Sequence, residues 1–256
     1  MTGASFQVWE GVFDSFQEAP ANGPGFDGEA WRRRSMAAAR DAMERLRTGQ
    51  PLDYSTRQRN AVLVTLGAVL LAQQQRIRIL DFGGGPGYGL LAMLSAIPDA
   101  AARIDYHIVE VENVCRDAPA LFDKVATPKF HTELPVRQSF DIVFTASTLQ
   151  YIEAWRDICR SLAAYNAPYL VFSDVFAYRG TPYVTLQNYY DSKIRHWILN
   201  EDEFISAIGS AGYSLSQKSD CSVKVLDKYG SLPMDNLPAE RRLANTNHFM
   251  FSRKQD

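Results

Sequence analysis

The spacing of apolar positions changes near residue 75. Across residues 27–46, Trp31, Met36, Ala39, Met43 and Leu46 recur at helical intervals, which predicts an amphipathic helix. Residues 48–53 contain Gly49 and Pro51 and predict a turn. A second helix is expected over residues 56–74, where Val62, Leu66, Val69 and Leu70 form the apolar stripe. Its longest apolar run, residues 61–72, then meets three glutamines and falls short of the about 20 residues needed to cross a bilayer. Ahead of both helices, residues 1–25 mix Phe6, Trp9, Phe13 and Phe16 with Pro and Gly, the pattern of an arm strapped onto a folded body.

Beyond residue 75 short β-rich runs alternate with helical ones. RIRILDF (76–82), IDYHIVEV (104–111), PKFH (128–131), FDIVFTA (140–146) and PYLVFSDVF (168–176) read as strands. Leu90, Leu91, Leu94 and Ile97 mark one intervening helix, and residues 152–164 another. Asn200 followed by Glu203 has the form of a capping box opening a helix through Phe204, Ile205 and Ile208 to Gly212. YSLSQKS (213–219) and NHFMFSRK (247–254) complete the strands. Such alternation predicts a doubly wound α/β fold with a mostly parallel seven-stranded sheet and an N-terminal helical extension. Residues 1–75 are expected to cap the active site, and residues 76–256 to form the main domain with a substrate insertion at about 175–200.

Composition narrows the function classes. The 256 residues are 46% hydrophobic and 22% charged, enough apolar content for a large core. With 27 Lys+Arg against 29 Asp+Glu the net charge is -2, which argues against binding along a nucleic-acid backbone. Cys115, Cys159 and Cys221 are widely spaced, with no metal-ligand pattern, and read as reduced thiols. The first twenty residues lack a basic head followed by an apolar run, so no secretory signal is read there. The expectation is a cytoplasmic protein with no membrane, nucleic-acid or metal partner, and with a homodimer left open.

The chemistry concentrates in DFGGGPGYG, residues 81–89, between a strand and a helix. Glycines at such a junction leave backbone N–H groups unblocked at a helix N-terminus. No G-x-x-x-x-G-K-[ST] occurs, which excludes a P-loop. The dinucleotide pattern G-x-G-x-x-A fits only when framed on Gly87, Gly89 and Ala92, which starts well past the strand end. The pattern D-x-G-x-G-x-G fits directly as Asp81, Gly83, Gly85 and Gly87.

On those residues the chain resembles the class I S-adenosylmethionine-dependent methyltransferases. The resemblance spans about residues 76–254 and includes HIVE ending at Glu110, the FDIVFTASTLQYI segment and the AGY step at 211–213. It implies S-adenosyl-L-methionine as cofactor, with Asp81, Phe82, Gly83, Gly84, Gly85 and Gly87 around its methionine part. Glu110 and Val111 would hold the ribose, His131 and Thr132 would lie near the adenine or else in a surface loop, and Ala146 and Ser147 would line the pocket from the fourth strand. More narrowly, DFGGG, WEGVFDSF, VTLQNYY and NEDEF resemble a bacterial group of methyltransferases associated with surface-polysaccharide or secondary-metabolite gene clusters. Gln150 stands where many members have His or Asn, and no Asn/Asp-Pro-Pro-Tyr motif follows, which disfavours methylation of a nucleobase amino group.

The expected activity is methyl transfer to a small-molecule acceptor, a hydroxyl of a saccharide or secondary metabolite. A nicotinamide-dependent oxidoreductase or epimerase and a non-catalytic cofactor-binding partner protein remain as alternatives. His196, in RHWIL, is the candidate base, against a packing role on a helical lid; Tyr151 is the second catalytic candidate. His107 and His248 read as packing residues within strands. Arg32, Arg33 and Arg34 read as a solvated helix face or an anchor for an acidic substrate group. Tyr178, Tyr183, Tyr189, Tyr190 and Trp197 read as a packed lid or a stacking wall.

Overall fold

The computed structural model describes residues 6–123, 125–226 and 228–254. Its body is a seven-stranded sheet made of β2 (Ile77–Phe82), β3 (Ile104–Val109), β4 (Lys129–His131), β5 (Ile142–Ala146), β6 (Tyr169–Val175), β10 (Tyr213–Cys221) and β11 (Thr246–Arg253). The remaining strands are β1 (Trp9–Phe13), β7 (Ala177–Tyr178), β8 (Tyr183–Tyr189) and β9 (Ser192–Asn200). Two long helices, α1 (Glu29–Arg47) and α2 (Tyr54–Gln73), precede the large sheet. Shorter ones follow its strands: α3 (Tyr88–Ala96), α4 (Ala100–Arg103), α5 (Glu112–Asp117), α6 (Trp155–Ala163) and α7 (Glu201–Ser210).

The large sheet runs β10-β11-β6-β5-β2-β3-β4, all parallel except β11, which is antiparallel to both neighbours. Alternation along β2 shows how it is held. Ile77 and Ile79 join one buried cluster with α1, α2 and α3, while Leu80 joins a second cluster with α6 and α7 on the opposite face. Asp81 interrupts this apolar strand at its buried C-terminal end, where a carboxylate has no packing value. From β2 the chain goes to β3 and β4 on one side, then returns to β5 on the other. The C-terminal ends of β2 and β5 therefore flank a topological switch point, the place where doubly wound sheets bind ligands.

Asn200 caps α7 as expected, its side chain accepting the Glu203 N–H at 2.8 Å, while the Glu203 carboxylate pairs with Arg156 instead of closing the box. The N-terminal helices share one core with the large sheet rather than forming a separate one. No described helix is long and apolar enough to cross a membrane, and the three cysteines are free.

The insertion departs from expectation. RHWIL lies in strand β9, not on a helical lid. β8 and β9 form an antiparallel hairpin, β1 from the N-terminal arm pairs with β8, and β7 completes a second sheet in the order β1-β8-β9-β7. Hydrogen-bond partners decide this: the arm supplies an edge strand that the hairpin cannot find locally. Leu232, Met234, Leu237 and Leu243, from the long connection before β11, cover β1 and Tyr183 in a further apolar cluster.

Candidate functional site

The glycine bend joins the end of β2 to the start of α3. Gly83 has φ 70°, and a Cβ there would overlap the Thr148 side chain, so neither conformation nor space admits another residue. Gly84 lies directly over Asp81, and a Cβ at that position would meet the carboxylate. Gly87, at φ 99°, caps α3 and turns the first N–H groups of that helix toward the switch point. Gly89 and Ala92 are buried inside α3, and a Cβ on Gly89 would collide with the Tyr106 hydroxyl. This weighs further against the dinucleotide frame on Gly87, Gly89 and Ala92, whose second glycine serves packing.

Two carboxylates brace the bend. Asp81 is buried, and its Oδ2 accepts the Tyr106 hydroxyl at 2.8 Å, while Oδ1 has no hydrogen-bond partner among the described residues. Burial lifts its pKa to about 7; the Tyr106 bond opposes the lift and the negative charge of Glu110 adds to it. Glu110 follows β3. Its Oε1 accepts the Gly85 N–H at 2.9 Å and its Oε2 the Val111 N–H at 2.8 Å, so one half-buried carboxylate ties the neighbouring strand to the bend. Burial raises the Glu110 pKa against the pull of these two N–H groups. Phe82 points to the opposite face and packs on the α6–α7 cluster.

The neighbouring strand ends complete the rim. His131 ends β4 and accepts the Glu110 N–H on its carbonyl at 2.9 Å. Its ring stacks on His107, with Nε2 at 3.0 Å from His107 Nδ1, and burial lowers both pKa values. Thr132 is exposed beside it. Ala146 ends β5, and its carbonyl accepts the Thr148 hydroxyl at 2.9 Å. Thr148 also donates to the Gly83 carbonyl, which locks the turn after β5 against the bend. Ser147, at φ 54°, donates its hydroxyl to Asp174.

The two catalytic candidates fare differently. His196 is fully buried, with ring contacts to Trp9, Tyr151 and Phe176, and neither ring nitrogen has a hydrogen-bond partner among the described residues. Burial lowers its pKa to about 3, against the opposing charge of Asp174. The base role is therefore corrected to a packing role, because no acceptor hydroxyl can reach a ring enclosed by aromatics. Tyr151 stands at the rim, donating to Gln187 Oε1 at 2.8 Å and packing edge-on to Phe26; burial pushes its pKa far above the ordinary phenol value. It is placed to shape the cleft and not to accept a proton at neutral pH.

His107 and His248 are buried within their strands, and His248 Nδ1 lies 2.9 Å from the Ser173 hydroxyl. Arg32 bridges Glu29 and Asp117, Arg33 is exposed, and Arg34 lies over the Tyr190 ring at 4.8 Å. Arg32 and Arg34 thus fasten α1 to its neighbours, and Arg33 forms the solvated face. The aromatic residues of the insertion are split: Tyr183, which opens β8, is buried in the cluster with Trp9, while Tyr189 and Tyr190 pack together at the hairpin tip.

One constellation is not legible in the sequence. Asp174, at φ 52° near the end of β6, accepts Arg59 Nε at 2.7 Å, Thr246 Oγ1 at 2.6 Å and the Ser147 hydroxyl. Burial would raise its pKa, but the Arg59 charge and the three hydrogen bonds outweigh it and hold the carboxyl below its usual range. The signal available beforehand was an acid inside the apolar run PYLVFSDVF, which demands a buried partner without saying where it lies.

No protein-family model matches the chain, and no curated protein matches it. The fold does match solved structures. Magnesium protoporphyrin IX methyltransferase from Synechocystis PCC 6803, with bound SAH, is 15% identical over 87% of this chain and 98% of its own, at a TM-score of 0.51. An S-adenosylmethionine-dependent methyltransferase from Clostridium acetobutylicum is 10% identical over 87% and 99%, at 0.54. The 1,6-didemethyltoxoflavin-N1-methyltransferase of Burkholderia thailandensis, with its substrate and S-adenosylhomocysteine bound, is 15% identical over 93% of each chain, at 0.53. The chain thus has the Rossmann-like fold of S-adenosylmethionine-dependent methyltransferases.

Proposed function

We propose that this chain is an S-adenosyl-L-methionine-dependent methyltransferase acting on a hydroxyl of a small-molecule acceptor. The observation that carries the reading is the bend at the switch point. It has an orphaned Asp81 oxygen beneath its glycines and a Glu110 carboxylate with spare lone pairs at its side. These groups fit the cofactor's chemistry: Asp81 would take the methionine ammonium and Glu110 the ribose hydroxyls. Val111, His131 and Thr132 would flank the adenosine, and Ala146 and Ser147 the methyl-bearing end. When bound, the cofactor supplies a methyl on a positively charged sulfur, and the electron pair of the broken C–S bond returns to that sulfur.

The chain's own residues then bind, orient and exclude water. In-line transfer needs no covalent intermediate, so holding the acceptor at near-attack distance provides most of the acceleration. With His196 enclosed, the acceptor's proton leaves to solvent or to the acceptor's own neighbouring groups. The N-terminal helices and the β8–β9 hairpin would wall the cleft, with Phe26 and Tyr189 packed together, ring centroids 5.7 Å apart, at its edge.

The test is turnover. A cell lysate incubated with the purified protein and S-adenosylmethionine should contain a metabolite that gains one CH2 by mass spectrometry. Glu110→Ala should bind the cofactor more weakly by about 1–3 kcal/mol, because a charge-assisted pair of hydrogen bonds is lost. Unchanged affinity in that variant would mean that the ribose lies elsewhere.

A further inference from the structure

Arg59 reaches the cleft from α2, and only its Nε is engaged, by Asp174 at 2.7 Å. Its two terminal nitrogens have no hydrogen-bond partner among the described residues. The side chain is 36% exposed, against 3% for Asp174. The carboxylate is thus sealed inside while the arginine side chain keeps part of its surface open. Asp174, itself fixed by Thr246 and Ser147, holds the planar group in one orientation and leaves the end-on pair of donors presented as a fork.

Asp174 fixes where that fork lies. The same carboxylate accepts the hydroxyls of Ser147, in the turn after β5, and of Thr246, which opens β11. The guanidinium therefore stands beside the β5 turn, at the C-terminal end of β6. Asp174 belongs to β6, two strands from β2 and on the side away from Glu110. At about 4.8 Å per strand that is about 10 Å from the bend. A cofactor lying over β2 and β3 leaves this end of the cleft to the acceptor.

We propose that Arg59 is an acceptor-recognition residue, and that the methyl acceptor carries a carboxylate gripped by its two terminal nitrogens. A carboxylate matches the planar two-donor geometry, and paired N–H···O bonds to it are among the strongest available. The inference rests on the cofactor reading above for the position of the acceptor. It adds the substrate class, a small acidic molecule, and gives the Arg59–Asp174 pair a purpose beyond stability.

The probe is benzoate, chosen because the cleft walls are aromatic, with benzamide as its uncharged counterpart. Calorimetry on the protein saturated with S-adenosylhomocysteine should show benzoate binding at least tenfold more tightly than benzamide. Arg59→Lys retains a cation opposite Asp174 but lacks the fork. It should stay folded, keep its S-adenosylhomocysteine affinity within about threefold and lose most of the benzoate preference. Equal affinities for benzoate and benzamide in the wild-type protein would overturn the proposal. So would an Arg59→Lys variant that loses S-adenosylhomocysteine affinity tenfold while its benzoate preference is unchanged, since Arg59 would then hold the cofactor's own carboxylate. A protein that binds no S-adenosylhomocysteine at all would instead overturn the cofactor reading, so the two failures are distinguishable.

Discussion

Asp174→Ala is expected to lower the stability of the protein by about 3–5 kcal/mol, the largest effect of any single change at the cleft. The carboxylate accepts hydrogen bonds from Arg59, Ser147 and Thr246, and it is almost fully enclosed. Truncation strands the guanidinium and leaves two hydroxyls without their acceptor. It also puts alanine at φ 52°, a left-handed conformation that Asn and Asp tolerate better. Asp174→Asn removes the charge alone and should cost less than the alanine change. A thermal unfolding midpoint about 10 °C below wild type is the expected reading for Asp174→Ala in a domain of this size. A shift of only a degree or two would mean that Arg59 finds another partner. Because the folded pKa of Asp174 lies below its ordinary value, the pair's contribution is present above the carboxylate range and is lost as pH falls below it.

The second large effect has the opposite sign in pH. Asp81 rises from 3.8 to about 7 on folding, which corresponds to about 4 kcal/mol. The native state holds a proton that the unfolded chain releases, so stability is fully present below the unfolded value. It then declines as pH rises through about 7. Asp81→Asn should therefore be more stable than wild type at ~pH 8 and closer to it at ~pH 5, where wild-type Asp81 is already neutral. The same substitution should weaken binding of S-adenosylhomocysteine, because an amide cannot counter an ammonium group. In the wild-type protein cofactor affinity should increase as pH rises through about 7, since Asp81 must lose its proton to accept that ammonium. Thermal unfolding and calorimetry at both pH values check this, and parallel stability profiles for the two proteins would contradict it. An acid that costs stability where it serves binding is the trade expected of a functional site.

The body of the fold was legible because each strand of the large sheet carries its own signal. Ile77, Ile79 and Leu80 declare a strand buried on both faces, and Asn200 with Glu203 marks a helix start from local chemistry alone. The bend was legible for the same reason: φ values of 70° at Gly83 and 99° at Gly87 leave glycine as the residue that fits without strain. Glu110 could be placed because it closes a recognisable strand next to the bend.

What the sequence hid depends on contacts between distant segments. The β8–β9 hairpin turns at Tyr190, with φ 54°, and Asp191, without the Asn-Gly pair that usually announces such a turn. Its partner β1 comes from the opposite end of the chain, with Trp9 beside Gln187. His196 looked available because it falls between the fifth strand and the next helix, where the resemblance puts substrate, whereas strand β9 places it between Trp9 and Phe176. Arg59 and Asp174 lie 115 residues apart, and nothing local in either segment names the other.

The central claim is that the glycine bend with Asp81 and Glu110 seats S-adenosylmethionine. Its most direct test is calorimetric titration of the folded wild-type protein with S-adenosylhomocysteine, with NADH in a parallel cell. The expected result is one saturable site of micromolar affinity for the nucleoside thioether and no heat from NADH. No heat with S-adenosylhomocysteine, or saturable binding of NADH in its place, would contradict the account.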